Sequence, residues 1–184
     1  TIVSRKVFIS FLGTGYYSEV AYKWIEGEDS FSTPYGQEAE LHLMPEKPDV
    51  VYILATKTAR ESHWRKLRGY NHYSKELNPE RGEGLEPRLR KILSAEKINI
   101  LPIEDGLDEQ AQWNIFQQLL SKIEENDRVI LDITHGYRVT PVVLSSALHF
   151  LRITKNIELK HVFYAAFETD DKRIIDYKSF YDIQ

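Results

Sequence analysis

Five apolar runs of six or seven residues recur along the chain, the first four leading through a polar or glycine-rich loop to a stretch with helical spacing. Such runs are short enough to be strands and apolar enough to be covered on both faces, so they call for a sheet between layers of helix. The runs are residues 7–12 (VFISFL), 49–55 (DVVYILA), 98–103, 128–133 and 161–167. Helices are expected over residues 37–43, 59–67 and 85–95. A further one starts after Asp108, which caps a periodic set of Trp113, Phe116, Leu119, Leu120 and Ile123. A last helix covers residues 140–153, with Pro141 in its first turn, where a missing N–H costs nothing. Alternating strand and helix predict an α/β fold with a mainly parallel sheet and right-handed crossovers, all strand-to-helix loops lying on one edge.

Two segments break the alternation. Residues 19–25 alternate polar and apolar and are turned back by residues 27–30 (GEDS), which predicts an added β-hairpin on the sheet rim. Residues 69–84 are polar, with Asn78-Pro79 and Gly82-Glu83-Gly84, and read as a mobile excursion. Residues 173–177 are expected to pair with the fifth strand. The whole is a Rossmann-like three-layer fold forming one domain over residues 1–184, a length that buries one sizeable core.

Composition narrows the function classes. With 24 basic and 28 acidic residues the net charge is -4, so there is no general attraction to nucleic acid and an anionic ligand has to be held locally. The chain has no cysteine, which excludes disulfides, thiolate catalysis and cysteine-bound metal and favours a reducing, cytoplasmic setting. No apolar run approaches the ~20 residues that span a bilayer, the first residues lack the layout of a signal peptide, and no initiator Met is present, as in a trimmed segment. His42, His63, His72, His149 and His161 show no metal-ligand spacing with carboxylates, so no metal is expected.

Ligands of such folds lie beyond the carboxyl ends of the strands. There the loops of residues 13–17, 56–58, 104–106, 132–138 and 165–168 should converge. Gly13-Thr14-Gly15 lets backbone approach a phosphate or ribose closely, or is a plain strand-terminating turn. Tyr16 and Tyr17 either stack on a base or pack on the rim. Asp132-Ile-Thr-His-Gly-Tyr-Arg138 gathers a carboxylate, a hydroxyl, an imidazole and a guanidinium at a strand end, where the next helix offers its N–H groups to an anion. Asp132 reads as structural, accepting bonds from backbone or Thr134. His135 reads as a ligand contact, or as a general acid or base. Lys57, with Thr56 and Thr58, either meets a phosphate or is solvated. Trp24, Trp64 and Trp113 read as core anchors.

Residues 7–15 (VFISFLGTG) and 132–138 (DITHGYR), with Pro141, resemble the CRISPR-associated Rossmann-fold (CARF) family of type III CRISPR ancillary proteins. The resemblance extends through the strand order to residues 163–168 (FYAAFE) and 174–180 (IIDYKSF). It implies a homodimer that binds the second messenger cyclic oligoadenylate across its two-fold axis and switches on a fused or partner effector in antiviral defence. Gly13, Thr14, Gly15, Tyr16, Thr56, Lys57, Thr134, His135, Gly136, Tyr137 and Arg138 would line that pocket. Tyr137 stands where many relatives carry Phe. Effectors of the family continue into a catalytic module, whereas this chain stops at Gln184; it is either an isolated sensor domain or a stand-alone member. No cofactor is implied.

Two other readings stay open. Some members of the family cut their own ligand, and a metal-independent ring nuclease would use Thr14, Lys57 and His135 to position a ribose 2′-hydroxyl against the adjacent phosphorus. A dinucleotide-binding enzyme on the same fold is disfavoured, because Thr56-Lys57-Thr58 occupies the place of the acidic residue that would hold a ribose diol.

Overall fold

A computed structural model describes residues 4–136 and 141–182. Its centre is a six-stranded sheet in the order β10-β9-β8-β1-β4-β7. The strands are β1 (Lys6–Phe11), β4 (Val50–Ala55), β7 (Ile98–Pro102), β8 (Arg128–Asp132), β9 (Glu158–Ala165) and β10 (Ile174–Asp176). All neighbours run parallel except β10, which pairs antiparallel with β9.

Strand alternation builds two cores. Val7, Ile9 and Phe11 of β1 point into one with Val129, Leu131, Ile115, Leu119 and Leu148, beneath α4 (Glu109–Lys122) and α5 (Pro141–Lys155). Phe8, Val51, Ile53, Ile130 and Phe163 point into the other with Tyr35, Leu41, Leu85 and Leu89, beneath α1 (Gly36–Leu43) and α3 (Leu85–Leu89). This is the three-layer α/β arrangement expected from continuous apolar strands. The hairpin of β2 (Val20–Lys23) and β3 (Ser30–Thr33) forms its own two-stranded sheet. Trp24 beside it meets Phe163 edge-on at 5.7 Å, and Lys23 bridges to Arg173 at the β9–β10 turn.

Three expectations are corrected. Thr56, read as loop, caps α2 (Lys57–His63) by accepting from the Ala59 N–H at 3.2 Å, so that helix starts earlier and ends sooner than its apolar pattern suggested. Residues 69–84 are not a structureless excursion: β5 (Tyr70–Asn71) and β6 (Glu76–Leu77) pair antiparallel, and the Tyr70 N–H donates to the Thr14 carbonyl at 2.8 Å. Trp113 is not a core anchor but 52% exposed, because the α4 stripe that packs inward runs through Ile115 and Leu119. Asp108 does cap α4, accepting from the Ala111 N–H at 2.8 Å.

From β1 the chain crosses to β4 and β7 on one side, then returns to β8 and β9 on the other. The topological switch point therefore lies between β1 and β8, and a ligand crevice opens beyond their carboxyl ends.

Candidate functional site

The loops after β1 and β8 meet at that switch point. The Tyr17 ring lies between two imidazoles, stacked on His63 at 4.5 Å and on His135 at 4.7 Å, and His135 in turn faces Phe167 from the β9 loop at 6.1 Å. The Tyr17 hydroxyl stands 3.4 Å from His135 Nδ1. Gly13 and Gly15 make room for this ring: a Cβ at Gly13 would stand 2.1 Å from the Tyr17 hydroxyl oxygen, and one at Gly15 3.0 Å from a ring carbon.

Asp132 is completely buried, and its bonds to the described residues hold the loop. Its Oδ1 accepts from the Thr134 N–H (3.2 Å) and the Thr134 hydroxyl (2.5 Å), and its Oδ2 accepts from the Ser10 hydroxyl at 2.7 Å. The Thr134 hydroxyl also accepts from the Ala165 N–H at 2.9 Å. These bonds tie β1, β8 and β9 together under the loop. The Gly136 N–H closes the turn on the Ile133 carbonyl at 3.1 Å.

His63 is fully buried and its tautomer follows from its partners. Nε2 lies 2.7 Å from the Gly15 carbonyl, which can only accept, so Nε2 carries the proton; Nδ1 then accepts from the Tyr35 hydroxyl at 2.9 Å. Burial, reinforced by His135 and Arg81, brings its pKa down to about 4 against the pull of the Gly15 carbonyl. Burial likewise lowers the pKa of His135, with Asp132 opposing. Both imidazoles are neutral near pH 7. Beneath them Glu40, completely buried near Asp132, has its pKa pushed well above the carboxylate range, by burial first and by Asp132 second. That carboxyl is held protonated.

Of the residues predicted for the site, Thr14, Thr56 and His135 border one cavity with Phe11, Leu12, Leu54 and Ile103. Its volume of about 10 Å³ admits nothing larger than a water molecule. Thr14 is buried, its hydroxyl 3.3 Å from His72 Nε2. Tyr16 is 63% exposed and carries the Arg81 guanidinium 3.8 Å above its ring. Lys57 is apart from these: its side chain is 79% exposed, with its ammonium 3.9 Å from Glu61 one turn along α2. Glu104 and Asp105 are exposed, and the end of β7 reaches the cavity through Ile103. Tyr137 and Arg138 lie outside the described residues. Among the described residues no three histidine or carboxylate side chains are grouped as a metal would need.

Sequence reasoning passed over His63, Tyr35, Arg81 and Phe167. His63 shows no metal-ligand spacing in the sequence. A different signal was present: seven residues after Thr56 it falls on the same helix face as the cap, and so looks toward the same sheet edge. Arg81 and Tyr35 reach the site only through folding of distant segments.

A Rossmann-like sheet with its loops gathered at the switch point places the chain in the α/β class whose ligands, where they bind, lie at that edge. Residues 7–168 match the family described as "CRISPR system endoribonuclease Csx1, CARF domain", and the chain belongs to that CARF-domain family. It is also similar to the CRISPR-associated protein MJ1674 of Methanocaldococcus jannaschii, at 27% identity over 202 aligned positions covering 86% of this chain. The chain spans about a third of that relative's length, 31%.

Proposed function

We propose that this domain is a homodimeric sensor of cyclic oligoadenylate in type III CRISPR antiviral defence, acting in the cytoplasm and passing its signal to a fused or partner effector domain. The observation that carries the reading is the meeting of the β1 and β8 loops at the switch point, where aromatic rings and close-approaching backbone stand side by side. α5 follows the β8 loop in the chain, and the free N–H groups and positive dipole end of a helix start there would suit phosphates on a net acidic protein.

A two-fold arrangement has a face to use. Trp113 of α4 and Val142, Phe150 and Ile153 of α5 are exposed apolar side chains, and Trp113 and Val142 border a groove of about 270 Å³ with the half-buried Phe116. Val142, Phe150 and Ile153 recur at helical spacing on the helix that leaves the ligand loop. A second copy packed there would bring two ligand loops together, as a symmetric cyclic ligand requires.

The sensor reading is favoured over a ring nuclease by where the three cleavage candidates stand: Thr14 and His135 share a cavity, while Lys57 is paired with Glu61 in solvent. Calorimetry with cyclic tetra-adenylate and cyclic hexa-adenylate, followed by chromatography of the recovered nucleotide, tests both. A sensor binds at least one ring and returns it intact. Linear products ending in a cyclic phosphate would make the domain a ring nuclease, and absence of binding to either ring would remove both readings.

A further inference from the structure

Beneath the β2–β3 hairpin, and sharing Tyr17 and His135 with the switch-point loops, lies a second hollow of about 290 Å³. Tyr16, Tyr22, Pro34 and Phe167 supply most of its remaining wall. The volume lies just under the range of ligand pockets, about 300 to 1,000 Å³; it suits one nucleobase with its sugar and not a whole oligonucleotide ring.

The lining selects for chemistry as well as size. Among the described residues it is bordered by five rings with Ser18, Val20 and Pro34, and by no lysine or arginine, so its described wall favours a base over a phosphate. Tyr22 is buried and burial holds its hydroxyl protonated, leaving a neutral hydrogen-bonding group in the wall. His135 is neutral too, and its ring is within 28° of parallel to that of Phe167. Phe167 is 42% exposed, an apolar ring left at the mouth. Tyr16 is exposed, yet its orientation is fixed by the stacked Arg81 guanidinium, and Arg81 is itself held by donating to the Tyr17 carbonyl at 2.7 Å. Preset planar walls of this kind are the features that recognise a base by stacking.

We propose that one adenine of the bound ring enters this pocket, stacked against Phe167 with Tyr16 as the outer wall, while the phosphates stay at the strand-end loops. The inference rests on the nucleotide-sensor reading above and adds residues outside both loop motifs as determinants of base recognition.

The test uses the full chain with cyclic tetra-adenylate and cyclic hexa-adenylate, and a ring in which 2-aminopurine replaces one adenine. Loss of a stacking partner should weaken binding about tenfold or more in Phe167→Ala and in Tyr16→Ala. Phe167→Tyr should retain affinity, and Phe180→Ala, an exposed ring on α6 (Lys178–Asp182), should bind like the parent. Phe167→Leu, which keeps apolar contact without a π face, guards against reading a local collapse as lost stacking and should also weaken binding. 2-Aminopurine fluorescence should be quenched on binding to the parent and less so in Phe167→Leu. A parent that binds while Phe167→Ala and Tyr16→Ala stay within about twofold of it overturns the pocket assignment alone. A parent that binds neither ring overturns the nucleotide reading and this inference with it.

Discussion

At Gly13 the missing side chain is a packing requirement of this chain. The clashing atom would be the Tyr17 hydroxyl oxygen at 2.1 Å, with the ring carbon bearing it at 3.4 Å, and the ring cannot swing easily because imidazoles flank it. Gly13→Ala should therefore destabilise by about 1–3 kcal/mol, as overpacking does, and Gly13→Ala with Tyr17→Phe should recover most of that loss in urea unfolding. Titration gives a second residue-scale prediction. His63 titrates near 4 when folded and near ~6.5 when unfolded, so below that unfolded value the unfolded state takes up the proton first. Stability is full above pH ~6.5 and falls as pH drops toward about 4, by up to about 3 kcal/mol from this group. His63→Gln should flatten that acid limb. Glu40 acts in the opposite sense. Its folded pKa is raised, so the stability it contributes is present below the ordinary carboxylate pKa and is lost as pH rises. Glu40→Gln should accordingly unfold at higher urea than the parent at pH 8, and the gain should shrink toward pH 5.

At the scale of elements, strand ends are held by single side chains that also start helices. The Thr56 cap joins the end of β4 to α2 at the edge of the candidate site. Thr56→Ala should cost about 1 kcal/mol, whereas Lys57→Ala, which removes only a solvated pair with Glu61, should change stability by less than about 0.5 kcal/mol. Comparing the two by urea unfolding separates the capping hydroxyl from its neighbour. Strands were legible because β1 and β4 are buried at every position. The β5–β6 hairpin was not, because its polar sequence carries no apolar period; it is pinned by the Tyr70–Thr14 backbone bond and by Gly69, whose φ of +87° and closeness to the Gly15 carbonyl leave no space for a side chain.

For the whole molecule the question is how two copies would meet. If the α4–α5 face joins them, Trp113→Glu places a charge among the exposed apolar side chains, and sedimentation should show the parent as a dimer and this variant shifted to monomer. Because its ring is half in solvent, the variant's melting temperature as a monomer should change little. A parent that sediments as a monomer at all concentrations would remove the two-fold arrangement.

The sequence by itself determined the α/β class, the strands of the central sheet, the edge on which the loops gather and the two motifs there, because burial on both faces forces continuous apolar runs and short-range turn chemistry ends them. It also placed Asp132, Thr134 and His135 in one loop, since they are neighbours in the chain. Only the tertiary structure decided that Tyr17 fills the space above Gly13 and Gly15, that His63 and Tyr35 support it, that Lys57 faces solvent and that Phe167, Tyr22 and Pro34 close a hollow beside His135. Those relations join residues many positions apart, and no local period encodes them. They arise from strand order and from the hairpin's packing on the sheet, which fix distances that composition and spacing leave open.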